Sequence, residues 1–102
     1  MSVSKYEIFL KVVELGSVTR AAEQLDYTQS GVSHAISGME EEFGFPLLIR
    51  RRSGVQLTPD GEQILPAIQN IVNSREQLHQ IVSAIHGLNA GTVRIGAFTS
   101  VA

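Results

Sequence analysis

A chain of 102 residues, 43% of them hydrophobic, has room for one small domain and an appendage, and is too apolar to stay disordered. It has no cysteine, which excludes disulfides and thiolate zinc sites, and no apolar run approaching the roughly 18 residues of a membrane span. A net charge of −2 argues weakly against a nucleic-acid partner, but its distribution matters more than its sum. No acid occurs from Tyr27 to Met39, Arg50, Arg51 and Arg52 form the basic run, and acid gathers at Glu40, Glu41 and Glu42. Such a chain can be acidic overall and still present one acid-free face with a basic flank. The N-terminus has no apolar secretory stretch, and the lack of cysteine fits a cytoplasmic location.

Ser4 followed by Glu7 is a capping-box pattern, so the first helix should start there. Tyr6, Phe9, Leu10 and Val13 then form one apolar stripe, and Gly16 is placed to end the helix. Ser17 is the next N-cap; Val18, Ala21, Ala22 and Leu25 repeat the spacing with small residues that let another helix cross closely. Asp26 and Tyr27 make a turn, and Thr28 caps a third helix with Val32, Ala35, Ile36, Met39 and Phe43 on its inner face. Gly44 ends that helix. Between Pro46 and Leu57 the pattern runs apolar, basic, apolar, with Ser53-Gly54 as a turn signal, so a β-hairpin with the arginines at its tip is expected.

Thr58-Pro59 is a strong helix start. Ile64, Ile68, Ile71, Arg75, Leu78, Val82 and Ile85 follow at alternating spacings of four and three, a heptad seam interrupted by Arg75. That seam predicts a dimerising helix. Pro66 should bend it or loosen its first turns, and Gly87 with Asn89-Ala90-Gly91 should end it. Thr92 to Ala97 alternate like the start of a strand, as though a second domain began here. The expected boundaries are residues 1–58, 59–88 and 89–102.

The outer face of the third helix carries Gln29, Ser30, Ser33, His34 and Ser37, short and polar where a merely solvated face usually carries Lys and Glu. Gln pairs bidentately with adenine and Ser bonds either way, so the face suits base edges in a major groove. By position alone an ordinary solvated face with an N-terminal cap explains it equally well. Arg50, Arg51 and Arg52 fit wing contacts to phosphate or the minor groove, or alternatively a solvated turn. Thr19 and Arg20 are weaker phosphate candidates, and Thr28 can add a phosphate contact to its cap. His79 and His86 lie seven apart, not at the i, i+4 spacing of a helical zinc pair, so no metal or cofactor is assigned. No phosphate loop, Cys nucleophile or Ser-centred elbow points to an enzyme.

The run from Ser17 to Gly61 resembles the DNA-binding domain of LysR-type transcriptional regulators. The resemblance is carried by Ala21-Ala22 with Leu25 ahead of Thr28-Gln29-Ser30, by Met39-Glu40 leading to Phe43-Gly44 and Pro46-Leu47, and by Leu57-Thr58-Pro59 with Gly61. Gly91 to Ala97 is similar to the first strand of that family's effector-binding domain. The resemblance implies a mainly α fold, a three-helix winged helix-turn-helix with a two-stranded wing, followed by a long dimerisation helix that pairs antiparallel with a partner's. It implies a homodimer, a tetramer in an intact protein, inverted-repeat promoter DNA as the partner, and a small-molecule coinducer in a further domain. Thr99 and Ser100 match positions that often line the coinducer pocket. His34 stands where that family often has Arg, and Ser53 where its wing often carries a basic residue. The rival expectation is a dimerisation module, with the heptad helix as its working part.

Overall fold

The computed structural model describes the backbone of residues 4–91 and the side chains of residues 4–88. The chain divides after Val72 into two compact units.

Local chemistry accounts for the first three helices. Helix α1 (Lys5–Leu15) starts with a complete capping box: Ser4 Oγ accepts from Glu7 N–H, and the Glu7 carboxylate accepts from Ser4 N–H. Gly16 ends it in the left-handed conformation. Helix α2 (Val18–Leu25) is capped by Ser17 and closed by Asp26, a left-handed residue other than glycine. Helix α3 (Gln29–Phe43) is capped by Thr28, whose Oγ1 accepts from Gly31 N–H at 2.9 Å, and ends at Gly44. The three helices pack pairwise. Ile8, Phe9, Val12, Ala21, Ala22, Val32, Ile36 and Met39 fill the space between them. The alanines on α2 matter because a short helix wedged between two others has no room for longer side chains.

Strands β1 (Leu48–Arg51) and β2 (Gly54–Leu57) form an antiparallel hairpin, with Leu48 opposite Leu57 and Arg51 opposite Gly54. The connecting residues are therefore Arg52 and Ser53, not the Ser53-Gly54 pair that the sequence marks as a turn. Gly54 belongs to the last rung, and its need for glycine comes from elsewhere. Its φ is +137°, and a Cβ there would collide with the Gly16 carbonyl oxygen. That carbonyl accepts from Val55 N–H at 3.0 Å and moors the hairpin to the α1–α2 corner. A further correction follows: only Arg52 sits at the tip, while Arg50 and Arg51 lie within β1.

Helix α4 (Pro59–Gly91) begins where expected. Thr58 is a nearly buried cap: its hydroxyl donates to the Pro46 carbonyl at 2.8 Å and accepts from Gly61 N–H at 2.9 Å. Thr58 N–H also donates to the Leu47 carbonyl, so the helix start and the hairpin base are one construction. The helix continues past Pro66, which removes one N–H but leaves the neighbouring turns intact. It runs through Gly87 and reaches Gly91, within the stretch expected to end it; a glycine such as Gly87 costs a helix only about 1 kcal/mol relative to alanine. The first unit reaches Val72, and Ile64, Leu65 and Ile68 of α4 pack on the three-helix core. The strand expected from Thr92 lies outside the described residues. Three helices, a helix-turn-helix formed by α2 and α3, a β-hairpin beside them and a long final helix make this a winged helix-turn-helix with a helical extension.

Candidate nucleic-acid interface

Helix α3 turns Val32, Ile36 and Met39 inward, which forces the intervening polar residues outward. Gln29, Ser30, His34 and Ser37 are exposed, as is Thr28 at the cap. Ser33 differs. It is half-buried, and its Oγ accepts from Arg50 Nη1 at 3.3 Å. The structure thus brings the strand and the polar helix face together through one contact. Arg51, on the opposite face of β1, donates from Nε to Gln56 Oε1 at 3.1 Å. Arg52 is exposed in the turn. Thr19 and Arg20 are exposed in the first turn of α2, whose Ser17 cap accepts from Arg20 N–H.

Two of the three acids at the C-terminal end of α3 are engaged, while Glu41, one turn beyond Ser37 on the same side of the helix, is exposed. Glu42 pairs with Lys5 at 2.7 Å, tying the far end of α3 to the start of α1. That contact holds Lys5 above its ordinary value of 10.5, first through the hydrogen bond, with the Coulombic attraction of Glu42 adding to it and desolvation opposing. Glu40 turns its carboxylate toward the strand entry, where Oε2 accepts from Leu47 N–H at 2.8 Å and Leu48 N–H at 3.2 Å. From Gln29 to Ser37 the exposed helix face is polar and free of acid, with the Arg50 guanidinium against one flank. Surfaces of this kind meet a polyanion without repulsion and place short hydrogen-bonding side chains against it.

The family model described as "Bacterial regulatory helix-turn-helix protein, lysR family" matches residues 3–62. The chain belongs to the lysR family. An uncharacterized HTH-type transcriptional regulator, YvbU of Bacillus subtilis (strain 168), is 42% identical over 101 residues, which cover 98% of this chain and 35% of that protein. The probable HTH-type transcriptional regulator LrrA of Synechococcus elongatus (strain ATCC 33912 / PCC 7942 / FACHB-805) is 38% identical over 102 residues, covering all of this chain and 35% of that protein. The chain thus spans about a third of the length of these curated relatives. Among solved structures, the BenM_DBD/catB site 1 DNA complex matches with TM-score 0.75 and 30% identity over 82% of this chain and 94% of that one. Full-length CbnR complexed with its target DNA matches with TM-score 0.71 and 25% identity, covering 78% and 28% respectively.

For this lysR-family chain the seam residues of α4 divide between the two units. Ile68 is 3% exposed and Ile64 is packed against the first unit's core, so both are used within their own chain, while Ile71 is exposed. In the second unit Leu78, Val82 and Ile85 are exposed, Arg75 and His79 are half-buried, and His86 is exposed. Ile81 and Leu88, 53% and 71% exposed, extend that apolar row although they lie off the strict heptad positions. The same spacing of three and four that marks the seam would have found them. Thr99 and Ser100 lie outside the described residues. The clearest omission from the sequence reading is Glu40. Its position in an acidic run gave no sign that one of the three carboxylates would face the hairpin. Among the described residues no cluster of His, Cys, Asp or Glu could hold a metal, and no helix is long and apolar enough to cross a membrane.

Proposed function

We propose that this chain is the DNA-binding part of a bacterial transcription regulator acting in the cytoplasm on inverted-repeat promoter sites. The observation that carries the reading is the acid-free exposed face of α3 from Gln29 to Ser37 with Arg50 seated against it. Gln29, Ser30, Ser33, His34 and Ser37 read base edges, Thr28 and the first-turn amides of α3 donate to a phosphate, and Arg50, Arg51 and Arg52 hold the adjacent backbone. Thr19 and Arg20 add phosphate contacts from α2. That two of the similar solved structures are DNA complexes supports DNA as the partner.

In the second unit the exposed row Leu78, Ile81, Val82, Ile85 and Leu88 supports self-association through α4. A two-fold dimer presents two recognition helices, which is why an inverted repeat is the matching site. In the full-length protein such dimers assemble into tetramers, and a further domain binds a small-molecule coinducer, with Thr99 and Ser100 near its pocket. The chain itself acts by binding and performs no catalysis.

Affinity for an inverted-repeat promoter fragment and for a scrambled one, measured from about 50 to 200 mM salt, tests the reading. Preference for the repeat and a steep fall with salt are expected. Replacing Arg51 and Arg52 with Ala should flatten the slope by roughly 0.9 per lost phosphate contact while leaving association unchanged. Equal affinity for both fragments defeats sequence-specific reading. Indifference to DNA with intact self-association leaves a dimerisation module.

A further inference from the structure

We propose that Glu40 is a positioning residue for DNA binding: it clamps the wing strand against α3 and thereby sets where Arg50 stands beside the recognition face. The inference rests on the DNA-binding reading above and adds a residue that never touches DNA.

Glu40 and Ser33 are seven residues apart on α3, two turns, and so lie on one stripe of the helix about 10 Å apart. Leu48 and Arg50 are two apart on β1 and so share a strand face. The helix stripe meets the strand at both points: Glu40 Oε2 accepts from Leu47 and Leu48 N–H, and Ser33 Oγ accepts from Arg50 Nη1. The first attachment is the stronger, since an ionised acceptor shared by two amides makes charge-assisted bonds, whereas the Ser33–Arg50 contact is long at 3.3 Å. Strand entry is also held from the other side, where the Leu47 carbonyl accepts from Thr58 N–H. The wing is thus held at two places, at residues 47 and 48 by Glu40 and Thr58 and at Val55, the rung partner of Arg50, by the Gly16 carbonyl; Glu40 governs the strand entry, two residues before Arg50. Glu41 is exposed and Glu42 serves Lys5, so within the acidic run only Glu40 does this work.

A residue that merely supports the fold would lower the melting temperature and leave the DNA contacts of the folded chain alone. A positioning residue couples to Arg50. Affinity for the inverted-repeat fragment across salt is measured for Glu40→Gln, Arg50→Ala and the double variant, with melting curves and amide exchange at Leu47 and Leu48. E40Q is expected to speed exchange at both amides, weaken binding about tenfold and flatten the salt slope. On the Arg50→Ala background the same change should cost no more than about twofold. Glu40→Asp, which keeps the charge but shortens the reach, should show the same coupling and serves if E40Q is unfolded at the assay temperature. Additive losses, or a lowered melting temperature with an unchanged slope, overturn the positioning role in a chain that still prefers the repeat. A wild-type chain with no such preference overturns the DNA reading and this inference with it.

Discussion

The two stretches of α4 on either side of Val72 carry the same spacing of apolar residues and meet opposite fates. Ile68 is 3% exposed and belongs to the core of the first unit, whereas Leu78 and Ile85 in the second are 57% and 52% exposed. A period of three and four says that a helix has an apolar stripe. It does not say what covers the stripe. In the first unit the cover is the chain's own three-helix core, so the helix start is part of the folded domain. In the second the stripe is open in the single chain, which is the condition for pairing with a second copy.

The sharpest way to break this comparison is to truncate one residue from each stretch. Ile68→Ala should destabilise the first unit by about 2–5 kcal/mol in thermal or denaturant unfolding, independent of protein concentration. Ile85→Ala should change the unfolding of the dilute chain by no more than about 0.5 kcal/mol, but shift self-association to higher concentration in sedimentation. Equal, concentration-independent costs would show that both stretches are core.

A smaller effect tests how firmly α4 is joined to the hairpin. A Cβ at Gly61 would sit 2.5 Å from the Leu47 carbonyl oxygen and 3.1 Å from a Leu57 methyl carbon, with backbone unable to yield. Gly61→Ala should therefore cost about 1–3 kcal/mol, although alanine is the better helix former. A gain in melting temperature would mean that the helix start moves without penalty. Smaller again is the cap of the recognition helix. Thr28→Ala removes the acceptor for Gly31 N–H and should cost about 1 kcal/mol of unfolding free energy.

The smallest effect is at the exposed Lys5–Glu42 pair, which ties α1 to α3. Because the folded state raises Lys5 above 10.5, its contribution is fully present below that value and fades as pH rises through the folded-state titration. The stability difference between wild type and Lys5→Met should be level from neutral pH to about 9, then shrink under strongly alkaline conditions. A difference that grows with alkalinity would contradict the assigned pairing.

Much of this molecule was legible locally. Ser4, Ser17, Thr28 and Thr58 each announce a helix because a side-chain oxygen satisfies a first-turn amide within three residues, and sequence spacing alone expresses that relation. The inward faces of α1 to α3 and the uncharged outward face of α3 follow from periodicity in the same way. What the sequence could not express were relations between residues distant along the chain. Gly54 resembles a turn glycine but is required by the Gly16 carbonyl, 38 positions earlier. Glu40 resembles its acidic neighbours until the strand amides arrive beside it, and Ser33 resembles the rest of the polar helix face until Arg50 docks on it. Caps and stripes are set by bonds and angles within a few residues, so composition and spacing determine them. Which surface each stripe meets, and which of three adjacent carboxylates meets the strand amides and which meets Lys5, depends on close packing between elements, and only the tertiary structure decided those.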